Sequence, residues 1–221
     1  MKKKSFGFVI PLREEAIPLL KKLRIFSEEK IRGRTMITGE INGIKISLII
    51  SGCGKIKAAS ATQLLIDRSL ADLYINFGTA GAISKDLQVG DIVIATEIIE
   101  HDVREKFPEI VSPPVHLVSK EIIEKLRVKD LNFKFGPIAS GDEDIVTTWR
   151  RDILFKKHNC LTVDWESAGF ALTCQLNNVQ FLVFRTVSDL AYEHTTLEYK
   201  RNKKWVIENL VKVILENLYH F

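Results

Sequence analysis

The stretch Ile46-Ser47-Leu48-Ile49-Ile50-Ser51-Gly52-Cys53-Gly54-Lys55 decides the fold class. It begins with an almost continuous apolar run, which is typical of a strand that is covered on both faces. A glycine-rich turn follows, and a helical segment begins at Lys55. Strand, tight turn and helix in this order indicate an α/β protein. The unpaired backbone N–H groups at such a helix start can bind an anion.

The same turn argues against two common nucleotide-binding motifs. A dinucleotide-binding fingerprint needs a third glycine where this chain has Lys57. A P-loop ends in Gly-Lys followed by Ser or Thr, whereas Gly54-Lys55 is followed by Ile56. The sequence therefore predicts no nucleotide cofactor.

Apolar runs of strand length recur on both sides of this stretch, and helical segments separate several of them. Strands are predicted at residues 6–10, 46–50, 73–77, 91–95, 161–163 and 181–187. Helices are predicted at residues 14–26, 55–70, 119–127, 165–176 and 197–218. Because the loop between the third and fourth strands has no room for a helix, the sheet is expected to be mixed. The prediction is one domain over residues 1–221, a three-layer α/β/α sandwich around a mixed twisted sheet.

Composition narrows the functional classes. The 221 residues are 46% hydrophobic and 27% charged, which fits one globular domain and excludes a disordered chain. The net charge is +4, and the basic residues are scattered without interleaved aromatics, so no nucleic-acid groove is expected. No apolar run approaches the roughly 18 residues of a membrane span, so a soluble protein is expected. The three cysteines are widely spaced and suit a reducing cytoplasm rather than a disulfide framework.

A second glycine-rich segment, Asn76-Phe77-Gly78-Thr79-Ala80-Gly81-Ala82, ends another predicted strand. Open α/β sheets bind ligands outside the carboxyl ends of their strands. The two glycine-rich segments therefore predict a shared crevice at one edge of the sheet. The simpler interpretation of each segment is a tight turn.

Acidic residues follow three of the predicted strands at the same edge. Glu166 lies in the first turn of a helix, where the helix dipole favours a negative charge. Asp189 ends the apolar run that begins at Phe181, so its carboxyl is expected to be partly desolvated. Desolvation raises the pKa of a carboxyl and lets it act as an acid near neutral pH. Glu14 and Glu15 follow the first strand. The alternatives are a surface position for Glu166 and a capping role for Asp189.

Two other catalytic classes find no support in the sequence. The five histidines show no metal-ligand spacing, so no metal site is predicted. The chain has no Gly-x-Ser-x-Gly elbow, and no histidine is matched to Ser167, which argues against a serine hydrolase.

Taken in order, the segments resemble the purine nucleoside phosphorylase and nucleosidase superfamily, most closely its 5′-methylthioadenosine/S-adenosylhomocysteine nucleosidase branch. The resemblance runs over nearly the whole chain. It rests on the motifs PLREE (11–15), SGCGK (51–55), NFGTAG (76–81), VGDIV (89–93), SGD (140–142), VDWESA (163–168) and RTVSD (185–189). Each motif alone is weak, and the ordered set is specific.

The resemblance implies a role for each matched residue. Asp189, held by Ser188, matches the acid that protonates N7 of the leaving purine. Glu166 matches the carboxylate that binds the ribose hydroxyls, and Glu15 matches the glutamate that activates the attacking water. These residue types suit the reaction, because an oxocarbenium ion forms as the C1′–N9 bond breaks. The remaining substrate-binding positions implied are Trp165, Thr79, Ala80, Gly81, Asp144, Ile145 and Tyr199.

The chain departs from the family's pattern at several of these positions. Asp144 and Ile145 stand where the family places an aromatic and an apolar residue around adenine. Trp165 replaces the methionine that is common under the ribose. The segment 101–108 lacks the longer aromatic stretch that, in the family, a partner subunit contributes to the 5′-alkylthio pocket. Tyr199 matches an aromatic residue that closes over the site, and packing explains it equally well.

The first loop, Pro11-Leu12-Arg13-Glu14-Glu15, favours water over phosphate as the nucleophile, because two carboxylates repel an anion. Arg13 is the one residue there that suits phosphate. We therefore expect a cofactor-free hydrolase that acts on a purine nucleoside. We expect it to be a homodimer and to be located in the cytoplasm. The alternatives are phosphorolysis on the same scaffold and nucleoside binding without catalysis.

Overall fold

The computed structural model describes residues 4–103, 114–127, 133–219 and 221. Its strands are β1 (Ser5–Ile10), β2 (Arg24–Ile31), β3 (Arg34–Ile41), β4 (Ile44–Ile50), β5 (Leu73–Ala82), β6 (Ile92–Glu100), β7 (Val115–Leu117), β8 (Lys134–Ser140), β9 (Thr162–Asp164) and β10 (Phe181–Asp189). Its helices are α1 (Arg13–Leu20), α2 (Lys55–Arg68), α3 (Lys120–Arg127), α4 (Thr148–His158), α5 (Ser167–Leu176) and α6 (Thr195–Asn217). No helix in these ranges is long and apolar enough to cross a membrane.

The sheet is mixed, as the sequence predicted. β1 pairs in parallel with β4 and β5, and β10 pairs in parallel with β5 but antiparallel with β6. Beyond β1, β5 also pairs with β9, and β9 continues through β8 and β6 back to β10. The sheet therefore closes on itself around β5, while β4, β3 and β2 extend it past β1.

Helices cover this sheet in packed pairs. α2 packs against α5, and α1 packs against α6. α2 and α5 pack so closely that a Cβ on Gly169 would lie 2.1 Å from the carbonyl oxygen of Lys55. Only glycine fits at that position. The contact fixes the start of α5 against the turn that precedes α2.

The core lies where the apolar runs of the sequence placed it. Every residue of β10 is buried, as is most of β5. A smaller apolar cluster that includes Ile83, Ile99 and Ile145 lies apart from the main core. The buried ends of β5 and β10 thus bring their polar residues to one edge, which is the edge that the glycine-rich segments indicated.

Some predicted elements were wrong or missing. The helix predicted at 14–26 ends at Leu20, and β2 begins at Arg24. The hairpin of β2 and β3 was missed because β2 is charged and largely exposed and so lacks the pattern of a buried strand. Its turn is formed by Arg32 and Gly33, which both have a positive φ. β8 and α4 were also missed. The strand predicted at 73–77 extends to Ala82, so the segment interpreted as a glycine turn is mostly strand.

Candidate active site

A cavity of about 360 Å³ lies at the edge where β5 and β10 end. Of the eleven predicted site residues, all but one line this cavity, namely Asp189, Glu15, Glu166, Trp165, Ser188, Thr79, Ala80, Gly81, Asp144 and Tyr199. The exception is Ile145, which is buried in the smaller apolar cluster, while the next residue, Val146, lines the cavity. Residues from six different elements and loops thus meet at one place.

Asp189 is the last residue of β10, and a β-bulge positions it. Val187 pairs with Ala80 and Asp189 pairs with Gly81. Ser188 lies between them without a partner in β5 and is therefore the extra residue of the bulge. The Asp189 carboxyl accepts hydrogen bonds from the Ser188 hydroxyl (2.7 Å), the Ala191 N–H (3.1 Å) and the Thr195 hydroxyl (3.1 Å). Burial raises its pKa despite these donors, which favours a protonated acid.

Glu15 lies in the first turn of α1 and is buried. Its Oε1 accepts hydrogen bonds from the backbone N–H and the hydroxyl of Thr79, both at 2.9 Å. Its Oε2 is buried and has no partner among the described residues. Burial raises the pKa of this carboxyl against the opposing effect of the Thr79 donors and of Arg185. One oxygen is therefore anchored and the other is free to bind a ligand or water.

Glu166 precedes α5 and reaches the turn in front of α2. Its Oε1 accepts a hydrogen bond of 2.9 Å from the backbone N–H of Gly54. Burial and the nearby Asp164 raise its pKa to about 7, while Arg185 and the Gly54 donor act in the opposite direction. The anion-binding N–H group expected of the glycine-rich turn is thus occupied by a carboxylate of the protein itself.

The turn that carries Gly54 is held by a network of charges. The backbone N–H of Lys55 donates to Asp142 Oδ1 at 3.0 Å, and the Lys55 ammonium donates to Asp102 at 2.6 Å and to Glu100 at 3.2 Å. Asp102 also accepts from the backbone N–H of Asp142 at 2.9 Å. These bonds tie the 52–55 turn to the loop after β8. We call them the Lys55 clamp.

A buried ion pair lies beneath the cavity. Arg185 is fully buried and donates from Nε to Asp164 Oδ2 at 2.7 Å and from Nη2 to Asn76 and Ser167. Asp164 also accepts from Ser140 (2.8 Å), from the backbone N–H groups of Glu166 and Ser167 (3.0 Å each) and from the Ser167 hydroxyl. Burial alone would raise the pKa of Asp164, but Arg185 and these donors lower it. Asp164 is therefore an anion that orients the start of α5.

The remaining lining residues shape the cavity. Trp165 donates from its indole N–H to the carbonyl of Glu143 at 3.1 Å, which fixes the ring. Burial and the nearby Glu15 and Glu14 raise the pKa of Tyr199 to about 12, so its hydroxyl stays protonated. Burial raises the pKa of Cys53 to about 11, which leaves this thiol a poor nucleophile.

The described residues contain no cluster of His, Cys, Asp and Glu that could hold a metal ion. His101 is buried, and neither ring nitrogen makes a hydrogen bond to the described residues, although Nδ1 lies 3.7 Å from Glu143 Oε2. Burial lowers the pKa of this imidazole. Residues 104–108 of the segment that lacks the family's longer aromatic stretch lie outside the described residues.

Comparisons with known proteins identify the family to which the fold belongs. The model of the phosphorylase superfamily matches residues 6–218. This chain belongs to the phosphorylase superfamily. Within the superfamily it falls in the 5′-methylthioadenosine/S-adenosylhomocysteine nucleosidase branch. The phosphorylase-like fold that the motifs implied is thereby confirmed.

Three relatives illustrate the match to this branch of the phosphorylase superfamily. The 5′-methylthioadenosine/S-adenosylhomocysteine nucleosidase of Staphylococcus haemolyticus is 31% identical, over 94% of this chain and 99% of its own. That of Oceanobacillus iheyensis is 29% identical, over 95% of this chain and 100% of its own. The crystal structure of the Neisseria meningitidis enzyme in complex with methylthio-immucillin-A superimposes with a TM-score of 0.88 at 27% identity, and covers 99% of this chain and 100% of that one.

Sequence reasoning missed part of the site of this superfamily member. It gave no role to the pair of Asp164 and Arg185 or to Asn76, although an arginine inside the apolar run 181–187 signals a buried partner. It also missed several residues that line the cavity, namely Pro11, Leu12, Cys53, Val146, Thr195 and Thr196.

Proposed function

We propose that this protein hydrolyses the N-ribosidic bond of a purine nucleoside, either 5′-methylthioadenosine or S-adenosylhomocysteine, and releases adenine. The proposal rests on one observation: three buried carboxyls from different parts of the chain, Asp189, Glu15 and Glu166, line one cavity and all have raised pKa values. The names of the relatives in the nucleosidase branch support the same reaction.

In this reaction Asp189 is the acid for the leaving base. Its raised pKa keeps a proton on the carboxyl, which it transfers to N7 of the purine as the C1′–N9 bond breaks. The electron pair of that bond leaves with the base, and an oxocarbenium ion remains on the ribose. The bonds from Ser188, Ala191 and Thr195 hold the carboxyl in place and stabilise the anion that forms.

Glu15 is the base for the attacking water. With Oε1 bound to Thr79, the free Oε2 accepts a proton from water as the water oxygen bonds to C1′. The raised pKa of Glu15 brings its basicity closer to neutral pH, where proton transfer from water is more favourable. The products are adenine and the free 5′-substituted ribose.

Glu166 binds the ribose hydroxyls. Gly54 and Asp164 hold its carboxylate and its backbone in a fixed position, so the sugar meets an oriented acceptor. A negative charge near the ribose also stabilises the positive charge that develops in the transition state. Trp165, Tyr199 and the small residues Thr79 to Gly81 are assigned to substrate contact around these three groups.

Several features favour hydrolysis over phosphorolysis. Arg13, the residue of the first loop that suits phosphate, is exposed and pairs with Glu28 at 3.1 Å. None of the described residues that line the cavity is a lysine or an arginine, whereas five of them are Asp or Glu. Phosphate would therefore meet a ring of carboxyls without a cation to bind it.

The test is to incubate the protein with 5′-methylthioadenosine or S-adenosylhomocysteine in phosphate-free buffer and to measure the release of adenine by chromatography. We expect turnover that does not depend on phosphate and yields the free 5′-substituted ribose rather than its 1-phosphate. A strict requirement for phosphate would assign the phosphorylase reaction instead. Tight binding of the nucleoside with no product after long incubation would assign a binding protein.

The proposal also covers the domain organisation, the oligomeric state and the cellular location of the protein. We assign a single domain over residues 1–221, a homodimer and a cytoplasmic location. The free state of Cys53, Cys160 and Cys174 agrees with a reducing compartment. Sedimentation of the purified protein tests the dimer.

A further inference from the structure

A buried histidine lies next to the Lys55 clamp, outside the cavity. His116 belongs to β7, where it pairs with Ile98 of β6, and its side chain is only 6% exposed. Glu100 follows Ile98 by two residues and therefore projects from the same face of the sheet. The imidazole Nε2 lies 3.0 Å from Glu100 Oε1, and Nδ1 lies 2.9 Å from Gln175 Oε1. The ring thus connects β6 and β7 with α5.

Both partners of the His116 ring are hydrogen-bond acceptors. Glu100 pairs with an ammonium and is therefore a carboxylate, which can only accept. The amide nitrogen of Gln175 faces the carbonyl of Leu117 at 3.5 Å, so the amide oxygen is the atom that faces the imidazole. A neutral imidazole has one N–H group and can donate to only one of these acceptors. Satisfying both takes a proton on each ring nitrogen, that is, an imidazolium.

The charges of the Lys55 clamp favour a second cation at this place. Glu100 and Asp102 are largely buried and share the single ammonium of Lys55. Buried charges are costly unless they are paired. An imidazolium at His116 balances two carboxylates with two cations. The ammonium lies 2.6 Å from Asp102 but 3.2 Å from Glu100, as expected if the imidazolium already neutralises part of the charge of Glu100.

We infer that His116 is held as an imidazolium and is a positioning residue for Glu166. By neutralising Glu100, it leaves the Lys55 ammonium to the other carboxylate of the clamp. The clamp holds the 52–55 turn, and a backbone N–H of that turn binds the Glu166 carboxylate. The charge of a histidine outside the cavity therefore contributes to the orientation of the ribose acceptor. This inference rests on the proposed function for the role of Glu166 toward ribose.

The kinetic test uses His116→Gln, which keeps an N–H donor near Glu100 and carries no charge. Without the imidazolium, Glu100 competes with Asp102 for the ammonium of Lys55. We expect KM for 5′-methylthioadenosine to rise about fivefold with little change in kcat. Adding Glu100→Gln removes the competing charge, and the two amides can bond to each other. The double variant should therefore return KM to within about twofold of the wild-type value.

A purely structural role of His116 would give a different pattern. The losses of the two substitutions would then add, since each removes a packed polar group. Additive losses, or a wild-type KM in His116→Gln, would overturn the inference. The matched control is His158→Gln at the end of α4, because the His158 side chain makes no hydrogen bond or ion pair with the Lys55 clamp among the described residues. KM should stay at its wild-type value in this control.

Nitrogen-15 NMR spectroscopy of the wild-type protein tests the charge directly and needs no variant. The ring resonances of His116 are assigned through bonds from its own backbone. We expect two protonated ring nitrogens near neutral pH, whereas a neutral ring shows one protonated and one unprotonated nitrogen. A neutral ring would overturn this inference and leave the proposed function standing. Failure of the wild-type protein to cleave the nucleoside would overturn the proposed function, and the spectrum would still decide the charge of His116.

Discussion

Asp164 and Asp189 are both buried, yet their surroundings drive their pKa values in opposite directions. Asp164 faces the Arg185 guanidinium and accepts hydrogen bonds from Ser140, Ser167 and Glu166, and its pKa is lowered. Asp189 accepts from three hydrogen-bond donors and has no cationic partner among the described residues, and burial raises its pKa. Burial alone therefore does not decide the charge of a carboxyl. The Arg185 guanidinium together with the hydrogen-bond donors around Asp164 makes that carboxyl a structural anion, whereas the raised pKa of Asp189 suits the role of acid proposed for it.

The substitution Asp189→Asn should break the acid and spare the fold. We expect turnover to fall about 100- to 10,000-fold, because the amide has no acidic proton for the leaving base. The amide oxygen can still accept from Ala191 and Thr195. Ser188 lies 3.3 Å from the carbonyl of Ala80 and can donate there while accepting from the new amide. Adenine release measures the effect, and a folded variant with wild-type turnover would refute the assigned acid.

The substitution Arg185→Met should remove the cation that pairs with Asp164 and so destabilise the folded protein. It leaves Asp164 buried without its cation, and loss of one partner from a buried pair typically costs about 3–5 kcal/mol of unfolding free energy. Urea unfolding measures this loss. The matched control is Arg13→Met, which removes a surface pair with Glu28 and should change the free energy by about 1 kcal/mol or less. Equal effects of the two substitutions would contradict a structural role for the buried pair.

The pH dependence of stability separates the two aspartates. Because the folded pKa of Asp189 is raised, the folded state holds this proton over a range where the unfolded chain has lost it, and stability falls as pH rises from about 4 to the folded pKa. Asp164 behaves oppositely: its contribution is present above its unfolded pKa of about 3.9 and is lost as pH falls through its lower folded pKa.

Thermal unfolding of the wild-type protein and of Asp189→Asn between pH 4 and pH 8 checks the first of these signs. We expect the variant to gain stability relative to the wild type as the pH rises. A constant difference across this range would mean that the carboxyl of Asp189 titrates alike in the folded and unfolded states.

The smallest expected effect is at the Lys55 clamp, which positions Glu166 through Gly54. Asp142→Asn weakens the bond to the Lys55 N–H, and loss of about 1 kcal/mol in orientation corresponds to a roughly fivefold rise in KM with little change in kcat. Glu143→Gln in the same loop is the control, since the Glu143 carboxylate accepts from Arg150 and, among the described residues, has no hydrogen bond or ion pair with the 52–55 turn. A fall in kcat with unchanged KM would argue against the proposed route through Glu166.

Much of this arrangement could be predicted from the sequence, because the strands that carry it are continuous apolar runs. The run 181–187 ends in Ser188 and Asp189, and the polar ending of a buried strand indicates where an acid is desolvated. Glu166 was found by its place in the first turn of a predicted helix, and Glu14 and Glu15 by their place after the first strand, while the resemblance to the family selected Glu15. The local sequence pattern could not show which residues from distant parts of the chain come into contact. Only the folded chain shows that Thr79 fixes one oxygen of Glu15.

Other features were missed because their signal is weak or depends on tertiary contacts. β2 is charged and exposed on most of its length, so it lacks the apolar alternation of a strand. The prediction for Ile145 rested on alignment with the family, and the structure buries this side chain among Ile83 and Ile99 instead. The Lys55 clamp joins residues that lie 40 to 87 positions apart, and no local motif reports such pairs.

The extra residue in β10 also has an electrostatic consequence. In a regular strand residues 185, 187 and 189 would project from the same face, so the guanidinium and the acid would share one environment. The irregularity between Val187 and Asp189 breaks this alternation and separates the two. A strand of the same residues without the bulge would pair Ser188 with Gly81, return residue 189 to the face of Arg185 and bring its carboxyl under the influence of the guanidinium. One inserted residue thus keeps proton chemistry and structural charge apart along a single strand.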